Sequence, residues 1–262
     1  MKLSMQKIQL FLAISLSLLS CIQVQAQPEN PNRQLNQSLI FAAPPPPPDI
    51  GEPGKRGEAG SRGCSQDMNK QMTSSQKRLT ALVPIYSNSE LVFGTTIAEH
   101  PSFLFYVPYT SDFASGEFVL EDEGENQTAY KTSLTGTPGV VSFRLPSKAA
   151  PLEIGKRYHW YFNIYCQKDK QPFANVEGYV KREQLKPALK TQLEKATPRQ
   201  QVNLYAANGI WYEALSTASE LRRPNSQDTS WTALLQAVGL NDFVTEPKVE
   251  CCNLKYAGEE IR

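Results

Sequence analysis

Tyr158-His159-Trp160-Tyr161-Phe162-Asn163-Ile164-Tyr165-Cys166 alternates apolar and aromatic residues with polar partners, the period-two pattern of a β-strand. Side chains of this bulk fill the space between two packed sheets, so the stretch is expected to be a central strand. Working outward, short segments of the same kind recur at roughly ten-residue spacing, the rhythm of a β-sandwich. They are residues 79–84, closed by Pro84; Phe103-Leu104-Phe105-Tyr106-Val107, before Pro108; and residues 117–120, 130–134, 139–146 and 175–181. Gly and Pro separate them, and Glu121-Asp122-Glu123-Gly124-Glu125-Asn126 reads as an acidic hairpin tip. The Tyr and Phe clusters read as core packing, His159 as a half-buried strand residue and His100 as a loop residue.

Past residue 182 the period changes. Leu185, Leu189, Leu193 and Ala196 space a helix over residues 183–196. Thr197-Pro198 then reads as a helix start with proline in the first turn. Val202, Tyr205 and Ala206 share a face until Asn208-Gly209, where glycine suits a helix end. Residues 211–221 form the next helix with Ala214, Leu215 and Ala218 inward, and residues 231–240 add a last amphipathic turn or two. Residues 204–215 resemble one tetratricopeptide helix-turn-helix. A solenoid needs about three such units, so this one reads as a hairpin capping the sandwich. The expected fold is α+β: an antiparallel, Ig-like β-sandwich followed by a C-terminal helical hairpin. Trp211, Tyr212 and Trp231 on that hairpin and the following helix are its expected interaction surface.

The first 76 residues read differently. Lys2 and Lys7 precede an apolar run over residues 8–19, with no acidic residue before Glu29. These are the proportions of a secretory signal, and the run is shorter than the ~20 residues a spanning helix needs. Val24-Gln25-Ala26 places cleavage before Gln27, with a lipoprotein acylated at Cys21 as the alternative. Residues 44–48 are an unbroken proline run, which must adopt polyproline II and reads as a stiff spacer, with an SH3-type ligand as the alternative that a bacterial envelope disfavours. Gly51, Gly54, Gly57, Gly60 and Gly63 then follow a strict period of three, like collagen triplets, but four triplets are too few to nucleate a trimer. The organisation expected is a signal peptide over 1–26, a Pro/Gly-rich tether over 27–76, a sandwich over 77–182, and a helical cap and tail over 183–262.

The chain has 262 residues, 40% hydrophobic and 20% charged, with 27 Lys+Arg against 26 Asp+Glu. That balance fits a globular protein and gives no global pull towards nucleic acid or membrane. The charge is distributed unevenly, with eight acidic residues and no Lys or Arg from 85 to 130 and six basic against two acidic from 181 to 200. Four cysteines remain after cleavage: Cys64, Cys166, Cys251 and Cys252. In an oxidising compartment they allow three pairings. Adjacent cysteines bond each other only through a strained eight-membered ring, so Cys64 with Cys166, or one of them with the C-terminal pair, is expected; a metal clip at the adjacent pair would lack the CxxC spacing that converges thiolates on zinc. Two histidines and no phosphate loop, H-E-x-x-H or G-x-S-x-G elbow leave no catalytic or cofactor signature. Ser74-Ser75-Gln76-Lys77 has the S-x-x-K form, but Ser111-Asp112-Phe113 and Lys131-Thr132-Ser133 each depart from its companion motifs at the last residue.

The segment ending at Cys64, Leu79-Thr80-Ala81-Leu82-Val83-Pro84 and Pro101-Ser102-Phe103 occur in this order, followed by Tyr106-Val107-Pro108, Tyr158-His159-Trp160 and Cys166. Asn208-Gly209-Ile210-Trp211-Tyr212-Glu213-Ala214-Leu215, Trp231-Thr232-Ala233-Leu234-Leu235 and Cys251-Cys252 complete the set. Over residues 51–254 the set resembles a secreted cyanobacterial family known only as a domain of unknown function, numbered nine-two-eight. The resemblance implies an exported protein and assigns no activity. The expected function is a non-catalytic envelope protein without cofactor, binding a protein partner, with glycan or peptidoglycan as the alternative ligand and a secreted hydrolase a more distant one. The tryptophans discriminate: Trp160, Trp211 and Trp231 all buried favours a protein partner, an exposed aromatic row favours glycan.

Overall fold

The ten residues of β8 (Arg157–Cys166) alternate half-buried and buried without a break, so the backbone carries out the period written in the sequence. In this computed structural model the described residues are 39–48, 53–58, 77–86, 89–112, 114–134, 137–166, 170–222, 227–249 and 255–256. All belong to one unit, Ser38–Arg262. β8 pairs antiparallel with β5 (Ala114–Glu121) on one side and β9 (Ala174–Arg182) on the other. β6 (Gln127–Ser133), β3 (Leu91–Thr96) and the two-residue strands β2 (Ile85–Tyr86) and β10 (Lys255–Tyr256) complete a seven-stranded sheet in the order β10-β6-β5-β8-β9-β3-β2. A second sheet holds β1 (Thr80–Ala81), β4 (Ser102–Val107) and β7 (Gly139–Arg144) in the order β1-β4-β7.

The core lies between the sheets. Phe105 and Phe143 of the small sheet meet Phe162 of the large one at ring-centroid distances of 4.7 and 4.9 Å, and Phe103 meets Phe118 at 4.7 Å. Trp160 needs more room than a neighbouring side chain would leave. Gly178 faces it across the β8–β9 pair, and a Cβ on Gly178 would stand 2.6 Å from the indole.

Three strands cannot cover seven, and helices cover the remainder. These are α1 (Pro187–Lys195), α2 (Pro198–Ala207), α3 (Trp211–Leu221) and α4 (Ser230–Ala237). One hydrophobic cluster contains Leu82, Phe105 and Trp160 together with Trp211, Leu215 and Leu234. The expected boundary at residue 182 therefore marks a change of secondary structure and not a change of core.

Three local expectations need revision. The helix expected from residue 183 starts at Pro187, because Lys186 is held extended (φ −66°, ψ 136°) by the proline that follows it. The segment 79–84 yields a strand of only two residues. β3 escaped the sequence reading although all six of its residues are buried, because Gly94 interrupts its apolar run. β3 also pairs parallel with β9, so the large sheet is mixed. The helix start at Thr197 carries a full capping box with Gln200.

Part of the expected tether belongs to the fold. Residues 53–58 run as a strap from β9, at the point where β3 stops, to the β1 edge of the small sheet. Lys55 exchanges two backbone hydrogen bonds of 2.9 Å with Glu177 of β9, just beyond the end of the β3–β9 pairing. One and three residues on, Ala81 N–H donates to Arg56 O (2.8 Å) and Glu58 N–H to Leu79 O (3.1 Å) at the edge of the small sheet. Side chains reinforce the strap, with Lys55 Nζ donating to Asn175 and an Arg56 guanidinium N–H to Val238 O just past α4. At the other edge of the small sheet, Val140 bonds Pro247 and Val249. Such covers withhold unpaired strand edges from strangers.

Candidate functional site

The residues expected to form the interaction surface face inward. Trp211, Tyr212 and Trp231 are 0%, 2% and 3% exposed. This corrects the expectation, and the reason is the narrow second sheet: the apolar face of α3 is consumed in packing on β3 and β4. Every indole N–H is satisfied, Trp160 by Tyr212 Oη (3.0 Å), Trp211 by Leu82 O (2.9 Å) and Trp231 by Val244 O (3.1 Å). Burial pushes the Tyr212 hydroxyl far above the usual phenol range.

Cys166 is buried at the end of β8, while Cys21, Cys64, Cys251 and Cys252 lie outside the described residues, as does Ser74. Lys77 forms an ion pair with Glu246. The acidic hairpin tip closes on itself. Asp122 Oδ1 accepts from Gly124 N–H (2.8 Å) and Asn126 N–H (3.0 Å), and these bonds, Asn126 foremost, hold its carboxyl below the usual range. Among the described residues no helix is long and apolar enough to cross a membrane.

Two features remain on the surface, and they adjoin. The first is the outward face of the large sheet, where β8 presents Arg157, His159, Tyr161, Asn163 and Tyr165, all half-buried. Tyr161 Oη lies 2.8 Å from His159 Nδ1. A neutral ring that accepts from Tyr161 carries its proton on Nε2, which stands 3.4 Å from Glu177 Oε2. The His159 ring stacks on Tyr179 at 4.2 Å and lies 4.1 Å from Tyr161, and the Arg157 guanidinium sits 5.8 Å from the Tyr179 ring. Tyr165 donates to Glu117 (2.9 Å), and its hydroxyl is pushed up to about 12 by burial and by that carboxylate. The aromatic faces here are largely spent on one another.

The second feature is the proline run. From 41 to 48 half-burial falls on Phe41, Pro44 and Pro47 and on no residue between them. A period of three is the signature of a polyproline II helix lying along one edge. That edge is seated by the Phe41 ring, 4.9 Å and edge-on to Trp211, by Ala42 N–H donating to Ala206 O (3.0 Å), and by Tyr86 O–H donating to Pro44 O (2.6 Å). Burial pushes the Tyr86 hydroxyl up to about 12. Gly209, at φ +73°, ends α2 where Ala42 and Pro44 pass, and a Cβ there would meet Ala42 O at 2.7 Å. Between the run and the sheet lies a cleft of about 460 Å³, floored by Phe93 and Thr95 and rimmed by Arg157, Lys181, Glu123 and Glu183. Lys181 and Glu183 pair at 2.9 Å. Sequence reasoning recognised the run but not its seat, since none of the residues that hold it lies within 30 positions of it.

Glu213 of α3 reaches the backbone of the turn that follows β3. One oxygen accepts from Thr96 O–H (2.5 Å), Ala98 N–H (3.0 Å) and Ile97 N–H (3.2 Å), and the other has no hydrogen-bond partner. Burial raises its pKa despite those three donors. It fastens α3 to the turn after β3.

A family model described as Domain of Unknown Function (DUF928) matches residues 57–248. No curated protein matches the chain. The matched span opens inside the strap and takes in β1 to β9 and α1 to α4.

Proposed function

We propose, for a chain that belongs to the DUF928 family, an exported, non-catalytic module that binds a protein partner in the cell envelope of a cyanobacterium. One observation carries this reading: all three tryptophans are buried with their N–H groups satisfied. The exposed aromatic platform that a sugar ring would stack on is therefore not built from them, and on the sheet face His159 stacks on Tyr179 and lies tilted against Tyr161. The surface that remains is an apolar, rigid proline edge above a cleft rimmed by both signs of charge, which suits a polypeptide better than a glycan. In this reading the two sheets act as an Ig-like sandwich and α2–α3 as a tetratricopeptide-like hairpin that completes the core and presents nothing. Export follows from residues 1–26, and Cys166 then pairs with Cys64, Cys251 or Cys252.

The test is cross-linking of the tagged full chain in the cells that make it, followed by mass spectrometry. One or two recurrent envelope proteins, joined to a chain whose intact mass begins at Gln27, are the expected result. Co-sedimentation with isolated cell wall and no protein adduct would overturn the reading in favour of glycan binding.

A further inference from the structure

A polyproline II helix is a three-sided prism, with residues i, i+3 and i+6 along each edge. In residues 40–48 one edge, Phe41, Pro44 and Pro47, is the half-buried one. The two others are open. Ile40, Ala43 and Pro46 line one, and Ala42, Pro45 and Pro48 the other, all exposed. Ile40 is 70% exposed, more than the other large hydrophobics found at the surface, Ile85 and Ile154. An apolar side chain in that position gains nothing from the fold, and a continuous apolar edge on a rigid element is the kind of exposure that marks a contact site.

We infer that residues 40–48 are a ligand held out by this domain, and that its two open edges fit a partner protein with an aromatic-lined groove of the kind that reads extended proline-rich chain. The inference rests on the protein-binding reading above and names the surface and the chemistry of the partner. Three physical points converge on that chemistry. Prolines 44–48 have no N–H, so their exposed backbone offers only carbonyl acceptors. The partner must therefore supply donors, and tyrosine O–H and tryptophan N–H do so while their rings pack on the pyrrolidines. The molecule already uses this chemistry on the seated edge, where Tyr86 donates to Pro44 O at 2.6 Å and Trp211 takes the Phe41 ring. Finally, a chain seated on one edge has already lost its conformational freedom in the free protein, so a partner binds it without meeting the ordering cost again. The charged rim of the cleft, Arg157 and Lys181 with Glu123 and Glu183, lies beside the run and sets the direction in which a partner can approach.

The experiment uses the full chain in the producing cells, with the photo-cross-linker p-benzoylphenylalanine at Ala43, on an open edge, or in a separate strain at Lys131, exposed on β6. Expected is an adduct from position 43 whose partner peptide is rich in Tyr and Trp. The purified complex is then challenged with a synthetic proline decamer, which should displace the partner, and with a Gly-Ser decamer, which should not. The double variant Ile40→Ser/Pro46→Ser should bind the partner at least tenfold more weakly with an unchanged melting temperature, because both side chains are exposed in the free protein. A protein adduct from position 131 alone, or a partner indifferent to the proline decamer, overturns the ligand assignment and leaves the protein-binding reading standing. No protein adduct from either position, with the chain sedimenting on cell wall, overturns both.

Discussion

Gly54 and Gly57 occupy equivalent places in the period-three repeat, and the strap makes them unequal. A Cβ on Gly54 would stand 2.6 Å from Val92 Cβ and 2.9 Å from Glu177 O, while a Cβ on Gly57 would meet nothing closer than Thr80 Oγ1 at 4.0 Å. Neither glycine has a left-handed φ, so alanine is free of backbone strain at both. At Gly54 the obstacles are a β-carbon and a backbone oxygen of paired strands, which cannot rotate aside. Overpacking of this kind costs about 1–3 kcal/mol. The ceiling is loss of the strap's four backbone hydrogen bonds, about 4 kcal/mol at roughly 1 kcal/mol net each. With a urea m-value of about 2 kcal/mol/M, a loss of about 2 kcal/mol moves the midpoint of Gly54→Ala down by about 1 M. Gly57→Ala should hold its midpoint or raise it slightly, since alanine restricts the unfolded chain by about 0.4–1 kcal/mol. Urea titration followed by tryptophan fluorescence reads both. Equal losses at the two positions, with a trimer in sedimentation velocity, would refute the strap and restore the collagen reading, in which every third glycine is required alike. An unmoved midpoint for Gly54→Ala would refute the strap alone.

Three further outcomes are expected. Tyr212→Phe strands the buried Trp160 N–H and should cost about 1–3 kcal/mol, seen as a lower melting temperature; an unchanged one would mean that the Trp160–Tyr212 bond contributes nothing. Glu213→Gln should remove part of the pH dependence of stability. The wild-type carboxyl titrates above its ordinary value, so the folded state holds the proton more tightly than the unfolded one. Its contribution is complete below the unfolded pKa and lost as pH rises through the folded one. The variant's urea midpoint, relative to wild type, should therefore climb from pH 4.5 towards pH 8, and a difference flat with pH would show that Glu213 does not titrate differently on folding. Non-reducing peptide mapping of exported protein should find Cys166 joined to a peptide containing Cys64, Cys251 or Cys252; free thiols throughout would sink the oxidised-fold reading.

Much of the architecture was legible because it is local. The alternation of β8, the start of α2 at Thr197-Pro198 and the end of α2 at Gly209 each follow from a few adjacent residues acting on their own backbone. The extended form of residues 44–48 is of the same kind, since each proline restricts its own φ and the ψ of its predecessor. The family resemblance stated from ordered short motifs agrees with the DUF928 match over residues 57–248. The interaction surface was misread for the opposite reason. A helix with Trp211 and Tyr212 at its start is amphipathic whichever face it buries, and the face is chosen by the width of a sheet assembled from residues 80–144.

The amino-acid sequence by itself determined the strand and helix periods, the polyproline geometry and the distribution of charge along the chain, because these depend on neighbours within about one helical turn. Tertiary structure alone decided that Trp211 and Trp231 are core, that β3 lies parallel to a strand more than 80 residues away, that Gly54 touches Val92 and Glu177, and that the proline run shows two edges and hides one. Those outcomes depend on pairings between distant segments, in which bulk, edge hydrogen bonds and available surface decide together, and no local pattern encodes which partner a segment will meet.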